Sequence, residues 1–165
     1  MAIINDIRLL LVALWLGAAM FFSAVVAPSA FSVLRTFHLS NSGEIAGNIV
    51  NRALSVINTS GFIVSLLLLL TVFTIKRGSG QRLLFVEIIS LTGVAITTGI
   101  GQWVVAAKMH ALRAAMVLSI DQIAADDSRR VAFNSLHGYS VAALAIGMIA
   151  ALAAFLAAAQ RARLD

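Results

Sequence analysis

Four stretches of this chain are too long and too apolar to belong to a small soluble core. Residues 9–27, 53–75, 83–107 and 131–159 contain one charged side chain among them, Glu87. A helix needs about 20 residues to cross roughly 30 Å of hydrocarbon, and each stretch meets or nearly meets that length. Lipid offers the backbone no hydrogen-bond partners, so every crossing must pair its own N–H and C=O groups, as an α-helix does. The expected fold is therefore all-α, a polytopic membrane four-helix antiparallel bundle forming a single domain over residues 1–165. Composition agrees, since 12% of residues are charged against about a quarter in soluble chains.

The charges that remain limit the partners. The net charge is +5, but Lys and Arg stand singly or in pairs at the ends of apolar runs, where they anchor helices to headgroups. That pattern favours a lipid bilayer as the main partner and argues against nucleic acid. A second copy of the chain, or a subunit of a membrane complex, is the other partner such a bundle would pack against. No cysteine is present, which excludes disulfides and thiolate metal sites. The basic residues divide six and six between the two sides of a four-span topology. Acids gather opposite the termini, and the reading leans to termini inside. A bacterial inner membrane, crossed several times, is the expected location.

Local signals punctuate the spans. Ala13 and Gly17 have the four-residue spacing that lets helices approach closely. Pro28 lacks an N–H and is expected to kink the first helix or restart it near the interface. Residues 38–43 break the pattern. Residues 44–52 then read as a short interfacial amphipathic helix, with Ile45, Ile49 and Val50 set against Glu44, Asn48, Asn51 and Arg52. The loop at 78–81 is short enough to make spans two and three antiparallel neighbours. In the third span Gly93, Thr97 and Gly101 form a packing stripe, Glu87 is expected to turn back to Arg82 or Arg77, and helical character continues to about residue 119. Leu68 lies in a leucine run assigned to lipid, Trp103 suits an interfacial belt, and Ser128 is a candidate N-cap of the last helix.

The chemistry concentrates in residues 133–140. Asn134, His137 and Ser140 follow i, i+3 steps and share one helix face. His110 and Arg113 have the same spacing on the third span. If those helices end near 119 and 129, the hairpin brings His110 level with His137 and Arg113 level with Asn134. An imidazole entering hydrocarbon must be satisfied by other groups. The candidate polar pocket is thus His110, Arg113, Asn134, His137 and Ser140, near the membrane face opposite the termini. Two readings stay open, a site for a ligand, ion or proton and a hydrogen-bond lock that closes the hairpin.

The leading expectation is a non-enzymatic membrane protein using that pocket for transport or for binding a small ligand or ion. The alternative is a structural or accessory subunit packing through Gly/Ala stripes. Bis-His haem on His110 and His137 is weaker, because antiparallel neighbours about 8–10 Å apart leave little room for the macrocycle. A metal site on His38, His110 and His137 lacks short ligand spacing. No cofactor or metal is expected, and the chain holds no phosphate loop and no Ser–His–Asp set.

Three stretches resemble the small four-helix membrane family of unknown function that includes transmembrane protein 205 of animals. The first reads Leu16-Gly17-Ala18-Ala19-Met20-Phe21-Phe22-Ser23 and then Val26-Ala27-Pro28-Ser29-Ala30-Phe31. Leu112-Arg113 and Met116 match in the third span. The fourth carries Phe133, Leu136-His137-Gly138 and Ser140, similar to a Phe-x-x-x-His-Gly-x-Ser signature. The resemblance implies the four-helix fold and assigns motif roles to Gly17, Pro28, Phe31, Phe133 and Gly138. It implies no activity.

Overall fold

The structure is a computed structural model that describes residues 2–72 and 80–164. Helix α1 (Ala2–Phe21) passes through a π-helical turn, Phe22–Val26, into α2 (Ala27–Thr36). Helix α3 spans Ser42–Thr71, and α4 spans Gln81–Gly99. A second π turn, Ile100–Val105, joins α4 to α5 (Ala106–Ala114), a short 3-10 turn covers Ile120–Gln122, and α6 is Ser128–Arg161. These make four helices long and apolar enough to cross a membrane: Ile3–Thr36, Ser42–Thr71, Gln81–Ala114 and Ser128–Arg161. The protein is a multi-pass integral membrane four-helix bundle.

Each helix is longer than its apolar run, and several local expectations change. Pro28 does not end the first span but stands at the start of a new α segment within it, α2, as the restart reading expects. The π turn just before it shifts the ladder, so that the Ala27 N–H bonds Phe22 O and the ring enters at the start of a new α segment, where a missing N–H costs least. Residues 44–52 are no separate interfacial helix; they open α3 without a break. The third span stops at Ala114, well before residue 119. Asp127 rather than Ser128 is the N-cap of α6, its side chain accepting from the Arg129 N–H. Expectations that fall on 73–79, including Lys76 and Arg77, lie outside the described residues.

The packing inverts that of a soluble bundle. Along α6 the buried positions are Ser140, Leu144, Gly147, Ala151, Ala154, Ala157, Ala158 and Arg161, mostly small residues that recur at steps of three and four. Large apolar residues such as Phe21, Leu70, Phe85 and Ile149 point outward. Lipid tails are as apolar as leucine, so helices gain by close contact of small faces rather than by hiding large ones. A Cβ at Gly93 would touch Ala150 at 3.5 Å, and one at Gly147 would meet Thr97 Oγ1 at 2.9 Å, so Gly93 and Thr97 of the expected stripe pack against α6, while Gly101 faces Asn58 of α3. That register differs by about one helical turn from the one expected for ends at 119 and 129. Val12, Trp15, Ala19 and Phe22 of the first span complete the core with Leu68, Leu91 and Val94. Leu68 is thus interior, 2% exposed, against its assignment to lipid.

Gly17, expected to pack, does not, and the motif residue Gly138 is open too. Gly17 and Gly138 have nothing within 4 Å of a built Cβ, and Ala13 and Gly17 face outward. The close approach is instead at Gly61, where a Cβ would lie 2.5 Å from the Trp15 ring. That ring donates its indole N–H to Ile57 O at 2.9 Å.

Candidate functional site

The first span packs on both α3 and α6 along α1, but beyond Pro28 its α2 part packs chiefly on α3. Helices α2 and α6 therefore part, and a cavity of about 380 Å³ lies among α2, α3, α5 and α6. Helix α3 lines it with Glu44, Asn48, Asn51, Ser55 and Asn58, which recur every three or four residues and so form one face. This amphipathic stretch turns its polar side inward, while Ile49 is exposed. Gln102 comes from the second π turn, His110 and Arg113 from α5, and Arg130, Phe133, Asn134, His137 and Ser140 from α6. Phe31 and Arg35 of α2 and Asp121 of the connecting segment close the rim.

All five expected pocket residues, His110, Arg113, Asn134, His137 and Ser140, line this one cavity, but their pairing differs from expectation. Arg113 donates from Nε and Nη2 to Glu44 Oε1, the former at 3.1 Å, and from Nη1 to Met116 O at 3.1 Å. Its partner is α3, not Asn134 or His137. His110 Nε2 lies 3.0 Å from Asn51 Nδ2; an amide nitrogen only donates, so the ring nitrogen accepts. The two hairpin histidines thus share a cavity without bonding each other. Asp121 accepts the Glu44 N–H at 3.1 Å and serves the exposed start of α3. His38 sits in the α2–α3 turn with φ 51° and does not line the cavity. Among the described residues no three His, Asp or Glu side chains gather as metal ligands.

The floor is neutral and under-satisfied. Gln102 Nε2 donates to Ser55 Oγ at 2.9 Å, but its buried Oε1 has no partner among the described residues. Asn58 is 4% exposed and lines the cavity, and its side-chain amide hydrogen-bonds no described residue. Gly101 allows this, since a Cβ there would stand 3.0 Å from Asn58 Nδ2. Sequence reasoning missed the α3 side of the cavity. The available signal was the helical spacing of Glu44, Asn48, Asn51, Ser55 and Asn58 running into an otherwise apolar span.

The opposite end of the bundle is closed by ions. Arg8 Nη2 and Arg161 Nη2 donate to the two oxygens of Glu87 at 2.6 and 3.0 Å. Arg8 also donates to Leu68 O at 2.7 Å and contacts Thr71. One carboxylate therefore ties α1, α4 and α6 together and, through Arg8, α3 as well. Glu87 turns to these two arginines and not to Arg82. Because Arg8 and Arg161 meet, both ends of the described chain stand at the same end of the bundle, as an even number of crossings requires.

A family model described as a domain of unknown function, DUF4149, matches residues 10–117. The chain belongs to the DUF4149 family. No curated protein and no solved structure matches it. The DUF4149 match takes in the α3 stripe, Gln102, His110 and Arg113, and stops before Phe133, His137 and Ser140. The likeness to transmembrane protein 205 rests on the quoted motifs alone.

Proposed function

We propose that this protein binds a small polar solute in its membrane-embedded cavity and acts as a carrier or receptor, not as an enzyme. The observation that carries this reading is Asn58. Its amide faces the cavity, and beside it the buried Gln102 Oε1 has no partner among the described residues, a deficit of the kind that costs about 1–3 kcal/mol, so a ligand finds two ready contacts. A volume of about 380 Å³ lies within the usual range of ligand pockets. Helical spans suit a bacterial inner membrane better than an outer membrane, whose spanning proteins are barrels.

The test is thermal stabilisation of detergent-purified protein by a panel of small polar solutes. At least one should raise the unfolding temperature of the wild type and leave Asn58→Leu unmoved, with both eluting as the same folded species. A panel that shifts both proteins equally, or neither, would overturn the reading.

The accessory-subunit alternative has its own support. Ala13, Gly17 and Ala24 on the first span and Gly138 and Ala142 on α6 face outward, a small-residue surface that another helix could approach. Leucine at Gly17 and Gly138 should then abolish a complex captured by cross-linking in membranes.

A further inference from the structure

The charges around the cavity are unequal in number and in use. Three guanidinium groups line it, Arg35, Arg113 and Arg130, against two carboxylates, Glu44 and Asp121. Glu44 is taken by Arg113, and Asp121 accepts a backbone N–H of α3. Arg130 gives one N–H to Ile123 O, and Arg35 has no partner among the described residues. Two guanidinium forks therefore line the cavity with most of their five donors unspent, and neither forms an ion pair with a described carboxylate. Both stand near the helix ends, Arg35 in the last turn of α2 and Arg130 in the first turn of α6. The neutral floor at Asn58 lies about 20 Å along α3 from Glu44 at 1.5 Å per residue.

Such a gradient fits one kind of ligand. We infer that the cavity takes a molecule bearing a phosphate or carboxylate, held at the rim by Arg35 and Arg130, on an uncharged hydrogen-bonding body that reaches Asn58 and Gln102. The inference rests on the cavity being a binding site and adds the class of ligand. A planar guanidinium pairs its N–H groups with two oxygens of one oxyanion. A cation would find Glu44 already paired with Arg113 and only Asp121 to set against the two remaining guanidiniums. A charge carried to the floor would meet only amides and hydroxyls, so the anionic group belongs at the rim. Because α2 and α6 part, the same chemistry could arrive from water or as the headgroup of a lipid.

The experiment compares glycerol 3-phosphate with glycerol on delipidated protein by isothermal titration. In parallel, native mass spectrometry reads the lipid retained from nanodiscs of phosphatidylglycerol or of phosphatidylcholine doped with diacylglycerol. Wild type is set against Arg35→Gln/Arg130→Gln, Arg35→Lys/Arg130→Lys and Asn58→Leu, each checked for an unchanged unfolding midpoint without ligand. Binding of glycerol 3-phosphate but not glycerol, weakened about tenfold or more in the Gln pair and less in the Lys pair, supports a soluble oxyanion. Retention of phosphatidylglycerol but not diacylglycerol, lost in the Gln pair, supports the lipid source. Equal binding of glycerol and glycerol 3-phosphate, unaffected by the Gln pair but lost in Asn58→Leu, overturns the oxyanion and leaves the polar-solute reading standing. Binding of no probe overturns the inference as well.

Discussion

Arg8 Nη2 donates to Glu87 Oε1 across 2.6 Å, and neither side chain is more than 4% exposed. With Arg161 on the other oxygen, the cluster holds two positive charges on one negative, and the Nε atoms of both arginines have no partner among the described residues. Removing the carboxylate leaves two uncompensated buried guanidiniums. Glu87→Gln should lower stability by about 3–5 kcal/mol, read by unfolding in mixed detergent micelles. Replacing all three with apolar residues of similar volume should cost far less. A larger loss in the triple variant than in Glu87→Gln would refute the assignment.

Gly61 and Gly17 make a second comparison. A methyl group at Gly61 would collide with the Trp15 ring, which is itself pinned by its bond to Ile57 O. Gly61→Ala should therefore cost about 1–3 kcal/mol. Gly17→Ala, with open space around it, should stay within about 0.5 kcal/mol. Equal effects would show that the first span does not approach α3 at Gly61.

Arg113 tests which contacts the cavity wall makes. Double-mutant cycles should give a coupling on the order of 1 kcal/mol between Arg113→Ala and Glu44→Ala, modest because both side chains are partly exposed. Arg113→Ala and His137→Ala should add within error. The reverse pattern would mean that the hairpin, not α3, holds this arginine.

Asp127 ties stability to acid. Its side chain accepts hydrogen bonds from the Arg129 side chain and backbone, which holds its pKa at about 2 against an ordinary 3.8. The folded state thus prefers the charged form. Its contribution is complete above 3.8 and is lost as pH falls towards 2. The wild type should lose its advantage over Asp127→Asn across that window. A difference in unfolding temperature that stays constant through the window would exclude the cap.

How much of this could be read without coordinates follows from the kind of signal. Uncharged runs report crossings directly, so the four spans and their antiparallel order were legible. The α5–α6 side of the cavity was legible too, because a short connection makes register predictable to about a turn. Glu44 and Asn58 were missed because polar residues opening an apolar span look like headgroup anchors or self-bonded helix residues. Only the fold shows that they face inward. Arg8, Glu87 and Arg161 failed for a related reason. Each lies near the end of a long helix, where a lone charge ordinarily reaches for water, and nothing local says that three such ends converge. Leu68 was misassigned because a leucine run has no periodicity from which to choose a face.

The Glu87 cluster also constrains the order of assembly. Its two ion pairs join residues 79 and 74 positions apart, drawing on the first span, the third and the last. As the chain threads into the bilayer, Glu87 enters with Arg8 as its only strong partner, and the second guanidinium arrives only with the end of α6. Every intermediate before that moment carries a half-built network at the Glu87 end, while the α3 and α5 walls of the cavity are already in place. Locking of the bundle therefore waits for Arg161, and a chain stalled before it is left with an open seam between the third span and the last.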